Sequence, residues 1–210
     1  MTQPASAEGA NAALLDERQR LRRAARAARA ALVPAKRHRA QQSALRHLLR
    51  GLYLKPGMRV AAYLAGPEEF DPAPLLAAMH RRGVRLLVPR LSRVHPARMG
   101  FAPLAAPLLR NRYGLLQPAA PPSCSLQSVD VALVPVVAFD VTGARLGMGG
   151  GFYDRALAFR HRRQRWRGPL VIGIAFAEQR VERIPVLPWD VRLDAVLTDN
   201  GWIWPAENAS

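Results

Sequence analysis

Apolar residues at helical spacing open the chain. Leu14, Leu21, Ala25, Ala28 and Leu32 recur three, four or seven positions apart. Arg18, Arg22, Arg26 and Arg29 form a second stripe at the same period. Ala, Leu and Arg are good helix formers, so the pattern predicts a helix from about Asn11 to Leu32. Pro34 interrupts it, and a second helix is predicted from Lys36 to about Leu52, before Lys55-Pro-Gly. Met58-Arg-Val-Ala-Ala-Tyr-Leu64 reads as a strand. Asp71-Pro opens a helix that Gly83 closes, and Val84–Pro89 reads as the next strand. Strand, helix and strand with short connections predict an α/β fold with parallel pairing. Residues 92–129 hold six prolines and one short strand pattern near Met99–Pro103. Asp130–Phe139 is the most apolar run and is expected to be a central strand that Pro135 ends or bends. After the turn Asp140-Val-Thr-Gly come a glycine loop, a helix expected over 152–163 and a strand over 170–176. A final strand over 195–198 is expected to end the sheet. The small, polar residues 1–12 are expected to be disordered, 13–204 to form one domain and 205–210 a tail.

Composition narrows the classes. Half of the 210 residues are apolar and 22% are charged, so a packed core is within reach. No run of 18 apolar residues occurs, and the N-terminus lacks the basic and apolar regions of a secretory signal. The expected location is the cytoplasm. Cys124 is the single cysteine, which excludes a disulfide framework and a multi-cysteine zinc site. The net charge is +16, and all but Lys36 and Lys55 of the 31 basic residues are arginine. That excess points to anionic partners without naming them, and GC-rich codons can supply part of it. Residues 1–50 and the cluster Arg160-His-Arg-Arg-Gln-Arg-Trp-Arg167 raise a nucleic-acid reading. No helix-turn-helix, zinc-finger or RNP motif supports it, so no specific nucleic-acid partner is expected.

The most informative stretch is Arg145-Leu-Gly-Met-Gly-Gly-Gly-Phe-Tyr-Asp154. Glycine is entropically costly, so a run of this kind serves tight backbone geometry. Between a buried strand and a helix it offers bare N–H groups to an anion such as phosphate. A tightly packed turn without ligand is the competing reading. The spacing fits neither a Walker A loop nor the Rossmann fingerprint. Asp154 falls in the first helical turn, where it either balances the helix dipole or holds Mg²⁺ against phosphate. Asp190, in Ile184-Pro-Val-Leu-Pro-Trp-Asp190, reads alone as a turn or cap residue. Arg22 and Arg145 are candidates for neutralising phosphate charge.

Taken together these segments resemble the 5-formyltetrahydrofolate cyclo-ligase (5,10-methenyltetrahydrofolate synthetase) family. Pro135-Val-Val-Ala-Phe-Asp-Val-Thr-Gly-Ala-Arg-Leu-Gly-Met-Gly-Gly-Gly-Phe-Tyr-Asp-Arg carries the resemblance. Arg18-Gln-Arg-Leu-Arg22, Tyr63-Leu-Ala-Gly-Pro-Glu-Glu-Phe-Asp-Pro, Val88-Pro-Arg90, Tyr113-Gly-Leu-Leu-Gln-Pro118, Gly173–Gln179 and Ile184–Thr198 agree in the same order. It covers about residues 14–200. The resemblance implies a single three-layer α/β domain with a mostly parallel sheet flanked by helices. It implies ATP- and Mg²⁺-dependent ring closure of a reduced folate, mono- or polyglutamylated. Arg18 and Arg22 would then contact ATP phosphates. Arg145, Leu146, Gly147, Met148, Gly149, Gly150, Gly151, Phe152 and Tyr153 would form the nucleotide loop, with Met148 to Phe152 also facing the folate. Asp154 and Asp190 would serve the metal, and Arg145 and Asp154 would be catalytic. Leu64, Glu69 and Tyr113 would contact the folate. Two positions depart from the family pattern: Arg18 stands where relatives often carry Lys, and Met148 where they often carry Tyr or a basic residue. A paralogue that binds ATP but acts on another small substrate would share every nucleotide residue. Oligomeric state is not legible.

Overall fold

The computed structural model describes residues 5–92, 98–162 and 168–206. Its centre is a seven-stranded sheet. In chain order the strands are β1 (Arg59–Ala61), β2 (Arg85–Leu91), β3 (Met99–Pro103), then β4 (Leu108–Arg110) and β5 (Leu116–Pro118) as a separate hairpin. They continue with β6 (Val131–Pro135), β7 (Ala138–Phe139) and β8 (Arg145–Leu146) as a second small hairpin, β9 (Leu170–Ile174), β10 (Ala195–Thr198) and β11 (Gly201–Ile203). The sheet order is β11-β10-β9-β6-β1-β2-β3. The five inner strands are mutually parallel, and the two edge strands run antiparallel to their neighbours.

Alternation along β6 shows why the sheet is covered on both faces. Val131 and Leu133 face one core, while Ala132 and Val134 face the other. The first core is closed by α2 (Pro34–Gly51) through Ala40, Ala44 and Leu48, and by α3 (Ala73–Arg81) through Leu75, Leu76 and Met79. The second is closed by Leu157 of α4 (Phe152–Leu157) and by Phe159 of the 3₁₀ turn that continues it (Ala158–Arg162). These are the three layers that the resemblance implies.

The first helix, α1 (Ala5–Ala30), sits apart from this stack. Its buried apolar side chains are Leu21 and Ala25, which meet Val137, Ala138, Ala144, Leu146 and Ile184 in a third, smaller cluster. Residues 5–12 are helical where disorder is expected, and residues 1–4 lie outside the described residues. The final strand also departs from expectation. Asp199-Asn200 makes a turn, and the chain returns as β11 along β10, so the strand at 195–198 does not end the sheet. The helix expected over 152–163 is six residues of α-helix followed by the 3₁₀ turn; Arg163 lies outside the described residues.

Candidate active site

Pro135 ends β6, and the chain then folds into the β7–β8 hairpin. Asp140, fully buried, fixes its turn. Oδ1 accepts from Thr142 N–H, the Thr142 hydroxyl and Ala144 N–H at 2.8, 2.8 and 3.2 Å, and Oδ2 accepts from Ile184 N–H at 2.8 Å. Gln179 makes a matching clamp behind it: its amide donates to the carbonyls of Val136 and Val137 and accepts from Phe176 N–H. Both are buried polar groups, and apart from the Thr142 hydroxyl their bonds go to backbone, so they set the frame that carries the glycine loop. The sequence shows Asp140 only as a turn residue.

The glycine loop leaves this hairpin and enters a cleft of about 600 Å³. Gly149 and Gly151 have φ of +98° and +61°, which L side chains rarely adopt. A Cβ at Gly151 would meet Arg155, and one at Gly150 would meet the Phe152 ring. At Gly147 and Gly149 a Cβ would meet nothing within 4 Å. Internal packing therefore does not explain the glycines at 147 and 149, and both border the cleft.

Four arginines, Arg18, Arg22, Arg145 and Arg155, line the cleft with two aspartates, Asp154 and Asp190. Arg145 is buried. Its Nη1 donates to the Val191 carbonyl, and its Nη2 donates to Asp154 Oδ1 at 2.7 Å. Val191 N–H also reaches Asp154 Oδ1 at 3.3 Å. The Oδ2 atom of Asp154 is in none of these bonds. Arg18 is 5% exposed and holds Asp190 with both Nη atoms, at 2.5 and 3.1 Å. Arg22 donates Nε–H to the Gly147 carbonyl at 3.0 Å and, among the described residues, forms no ion pair. Its pKa is lowered by partial burial and by the neighbouring Arg18 charge, against a smaller opposing effect of Asp190. Both carboxylates are thus engaged by arginine, and the cleft keeps a surplus of positive charge.

The expected folate-side residues lie elsewhere around the loop. Tyr113, at the tip of the β4–β5 hairpin, is 54% exposed, and its ring meets Phe152 edge-on at a centroid distance of 6.3 Å. Arg112 lies over Tyr113, and Arg155 lies over Phe152. Met148 is 61% exposed. Leu64 and Glu69 belong to the segment that follows β1. Glu69 Oε2 accepts from Gly66 N–H at 2.8 Å. The Tyr153 hydroxyl is buried without a hydrogen-bond partner. Burial raises its pKa well above the ordinary tyrosine value; Glu69 adds to the rise and Arg145 opposes it.

Of the residues expected in the nucleotide loop, Arg145, Gly147, Gly149, Gly150 and Gly151 line the cleft with Arg18 and Arg22. Leu146, Met148, Phe152 and Tyr153 do not. Leu146 is fully buried against Leu21 and Ala25 of α1, so it anchors the loop from behind. Leu15, Arg155, Ala158, His161, Leu187 and Trp189 also border the cleft; Arg155, Leu187 and Trp189 lie inside the motif segments without being site candidates there, and nothing in the sequence marks Leu15 or Ala158. No group of three or more His, Cys, Asp or Glu side chains suited to a metal occurs among the described residues. Nor is any helix there long and apolar enough to cross a membrane.

A mostly parallel sheet with a glycine loop opening into a positively charged cleft defines an α/β protein of this architecture. The chain belongs to the 5-formyltetrahydrofolate cyclo-ligase family, whose sequence profile matches residues 15–199. It is 34% identical over 187 residues to the 5-formyltetrahydrofolate cyclo-ligase of Escherichia coli K12, covering 84% of this chain and 97% of that one. It is 30% identical over 190 residues to the enzyme of the same name from Haemophilus influenzae, covering 86% and 97%. Its fold matches the 5,10-methenyltetrahydrofolate synthetase of Aquifex aeolicus with a TM-score of 0.74 and 27% identity, over 92% of this chain and 95% of that one.

Proposed function

We propose that the chain is a cytoplasmic enzyme that closes 5-formyltetrahydrofolate to 5,10-methenyltetrahydrofolate with ATP and Mg²⁺, releasing ADP and phosphate. One observation carries the reading. Arg22, which has no carboxylate partner among the described residues, faces the same cleft as Gly147 and Gly149, beside which no described residue comes within 4 Å of an added Cβ. That arrangement suits a polyphosphate. The Tyr113–Phe152 ring pair beside the loop suits a flat aromatic substrate.

The chemistry matches the residue types. A formamide carbon is a poor electrophile, because its nitrogen lone pair is delocalised. Transfer of the γ-phosphoryl group to the formyl oxygen makes that oxygen a leaving group. N10 then attacks the carbon, and departure of phosphate leaves the methenyl bridge. Phosphoryl transfer requires positioning and charge neutralisation rather than a covalent protein group. Arg22, Arg145 and the N–H groups of the glycine loop supply both.

The donor set fits a magnesium ion that arrives with the nucleotide. Mg²⁺ keeps several waters and binds one or two carboxylates plus phosphate oxygens, and Asp154 offers its second oxygen. When bound, the ion supplies neutralisation of phosphate charge. Arg145 holds Asp154 from the buried side and fixes the direction of that oxygen.

Purified protein given Mg·ATP and 5-formyltetrahydrofolate should form the methenyl product, followed by its near-ultraviolet absorbance, with stoichiometric ADP. Absence of product under turnover conditions, with folded protein, would remove the assignment.

A further inference from the structure

The resemblance places Arg18 on ATP and Asp190 on the metal. The geometry joins them to each other. Arg18 Nη1 and Nη2 grip the two oxygens of Asp190, and Nη1 also donates to the Pro185 carbonyl at 2.6 Å. Asp190 Oδ2 further accepts from Leu187 N–H at 2.8 Å, and Asp190 N–H returns to the Leu187 carbonyl at 2.9 Å. The side chains of Arg18 and Asp190 are 6% and 10% exposed. A carboxylate whose two oxygens are held this way, beside a fixed guanidinium, is a poor seat for a dication.

The pair also has a mechanical consequence. The apolar attachment of α1 to the glycine-loop hairpin is narrow, resting on Leu21 and Ala25. Arg18 adds a polar anchor one turn before Leu21 and Arg22. Residues four apart on a helix share one face, so fixing Arg18 fixes the approach of Arg22, which donates to the Gly147 carbonyl.

We propose that Arg18 and Asp190 form a positioning latch that docks α1 on the 184–190 segment and so holds Arg22 over the glycine loop, and that Asp190 is not a metal ligand. The kinetic half of this proposal rests on the nucleotide reading of the cleft. The docking half does not, and it is tested without any ligand.

Hydrogen exchange of the ligand-free protein should show the backbone amides of 15–25 exchanging about tenfold or more faster in Asp190→Asn and in Arg18→Gln. The double variant should be no worse than the worse single one, because both remove the same bond. Arg18→Lys should fall between, since lysine keeps the charge and loses the two-pronged grip. In turnover, Asp190→Asn should raise KM for ATP about 10- to 100-fold, a loss in line with a hydrogen bond to a charged group, while leaving the Mg²⁺ concentration dependence as in the parent. Asp154→Asn is the contrasting variant, and it should shift the Mg²⁺ dependence. Parent-like exchange in both single variants overturns the latch. So does a tenfold or greater loss of apparent Mg²⁺ affinity in Asp190→Asn, whatever the exchange shows. A protein with no turnover at all, but with the exchange pattern described, would sink the enzymatic reading and leave the latch standing.

Discussion

The two sides of the glycine loop are built differently. On one side, Arg145–Asp154 and Arg18–Asp190 pair a buried arginine with a partly buried aspartate and are cross-braced to the backbone of Val191, Pro185 and Leu187. On the other, Tyr113 and Met148 stand mostly in solvent, and the Tyr113–Phe152 contact closes the wall from a hairpin tip. The first side is organised before any ligand arrives. Its guanidinium groups are desolvated and oriented, which is where electrostatic stabilisation of the proposed phosphoryl transfer would gain most. The second side is left for a substrate to complete. Ion pairs contribute little net stability, but removing the aspartate leaves a buried guanidinium without its counter-charge. Substitutions on the two sides should therefore separate into different kinds of loss.

The largest effect is expected at the loop itself. Gly149→Val places a branched side chain at φ +98° in the space proposed for phosphate. Turnover should fall about 100-fold or more, as for misplaced reacting groups. The melting temperature should fall only about 2–8 °C, in line with one strained residue in a chain of this size. Parent-like turnover would mean that the open space is not used. Next comes Asp154→Asn, expected to lower kcat about 100-fold, the scale of one lost electrostatic contact to the transition state. Steady-state kinetics at varied Mg²⁺ checks it, and an effect on folate KM alone would put Asp154 on the wrong side of the comparison.

Tyr113→Ala should act on the open side. KM for the folate should rise about 3- to 10-fold, the value of one aromatic contact, with the ATP KM and the melting temperature unchanged. A loss of stability would show that Tyr113 supports the fold instead. The smallest effect is expected for Tyr153→Phe. Its hydroxyl is buried without a partner, and an unsatisfied buried donor costs about 1–3 kcal/mol. Its removal should leave the ligand-free melting temperature unchanged or raise it slightly. A clear drop would show that the hydroxyl has a partner in solution.

How much of this the sequence carried differs between the same two regions. The parallel core was readable because β6 and β9 are nearly continuous apolar runs and α3 has punctuation at both ends. The glycine loop was readable because four glycines in five positions mark tight backbone geometry between a strand and a helix. The partner choices of Arg18 and Asp190 were not readable. The two are 172 residues apart, and nothing in either segment says which cation meets which anion. The buried role of Asp140 was hidden for the same reason: its fourth bond comes from Ile184, supplied by a distant segment. Helical residues 5–12 were missed because their small, polar composition suits an open tail as well as a helix. The β11 return was signalled only by Asp199-Asn200-Gly201, a turn pattern too short to stand alone.

The surplus of positive charge is also partly resolved. Arg18, Arg29, Arg145 and Arg160 are committed to internal pairs with Asp190, Glu68, Asp154 and Asp194. Arg37 and Arg90 are spent on backbone carbonyls. These are structural uses of arginine that call for no nucleic acid. Arg22 remains the cleft cation best placed for an anion.

In the proposed reaction the loop brings a phosphoryl donor on its braced side to a formyl oxygen on its open side. 5-Formyltetrahydrofolate labelled with ¹⁸O in the formyl group tests this directly in one round of turnover with Mg·ATP. Mass analysis of the released inorganic phosphate should find the label there, one oxygen per phosphate. Label recovered in water, with unlabelled phosphate, would contradict the transfer that the cleft is proposed to perform.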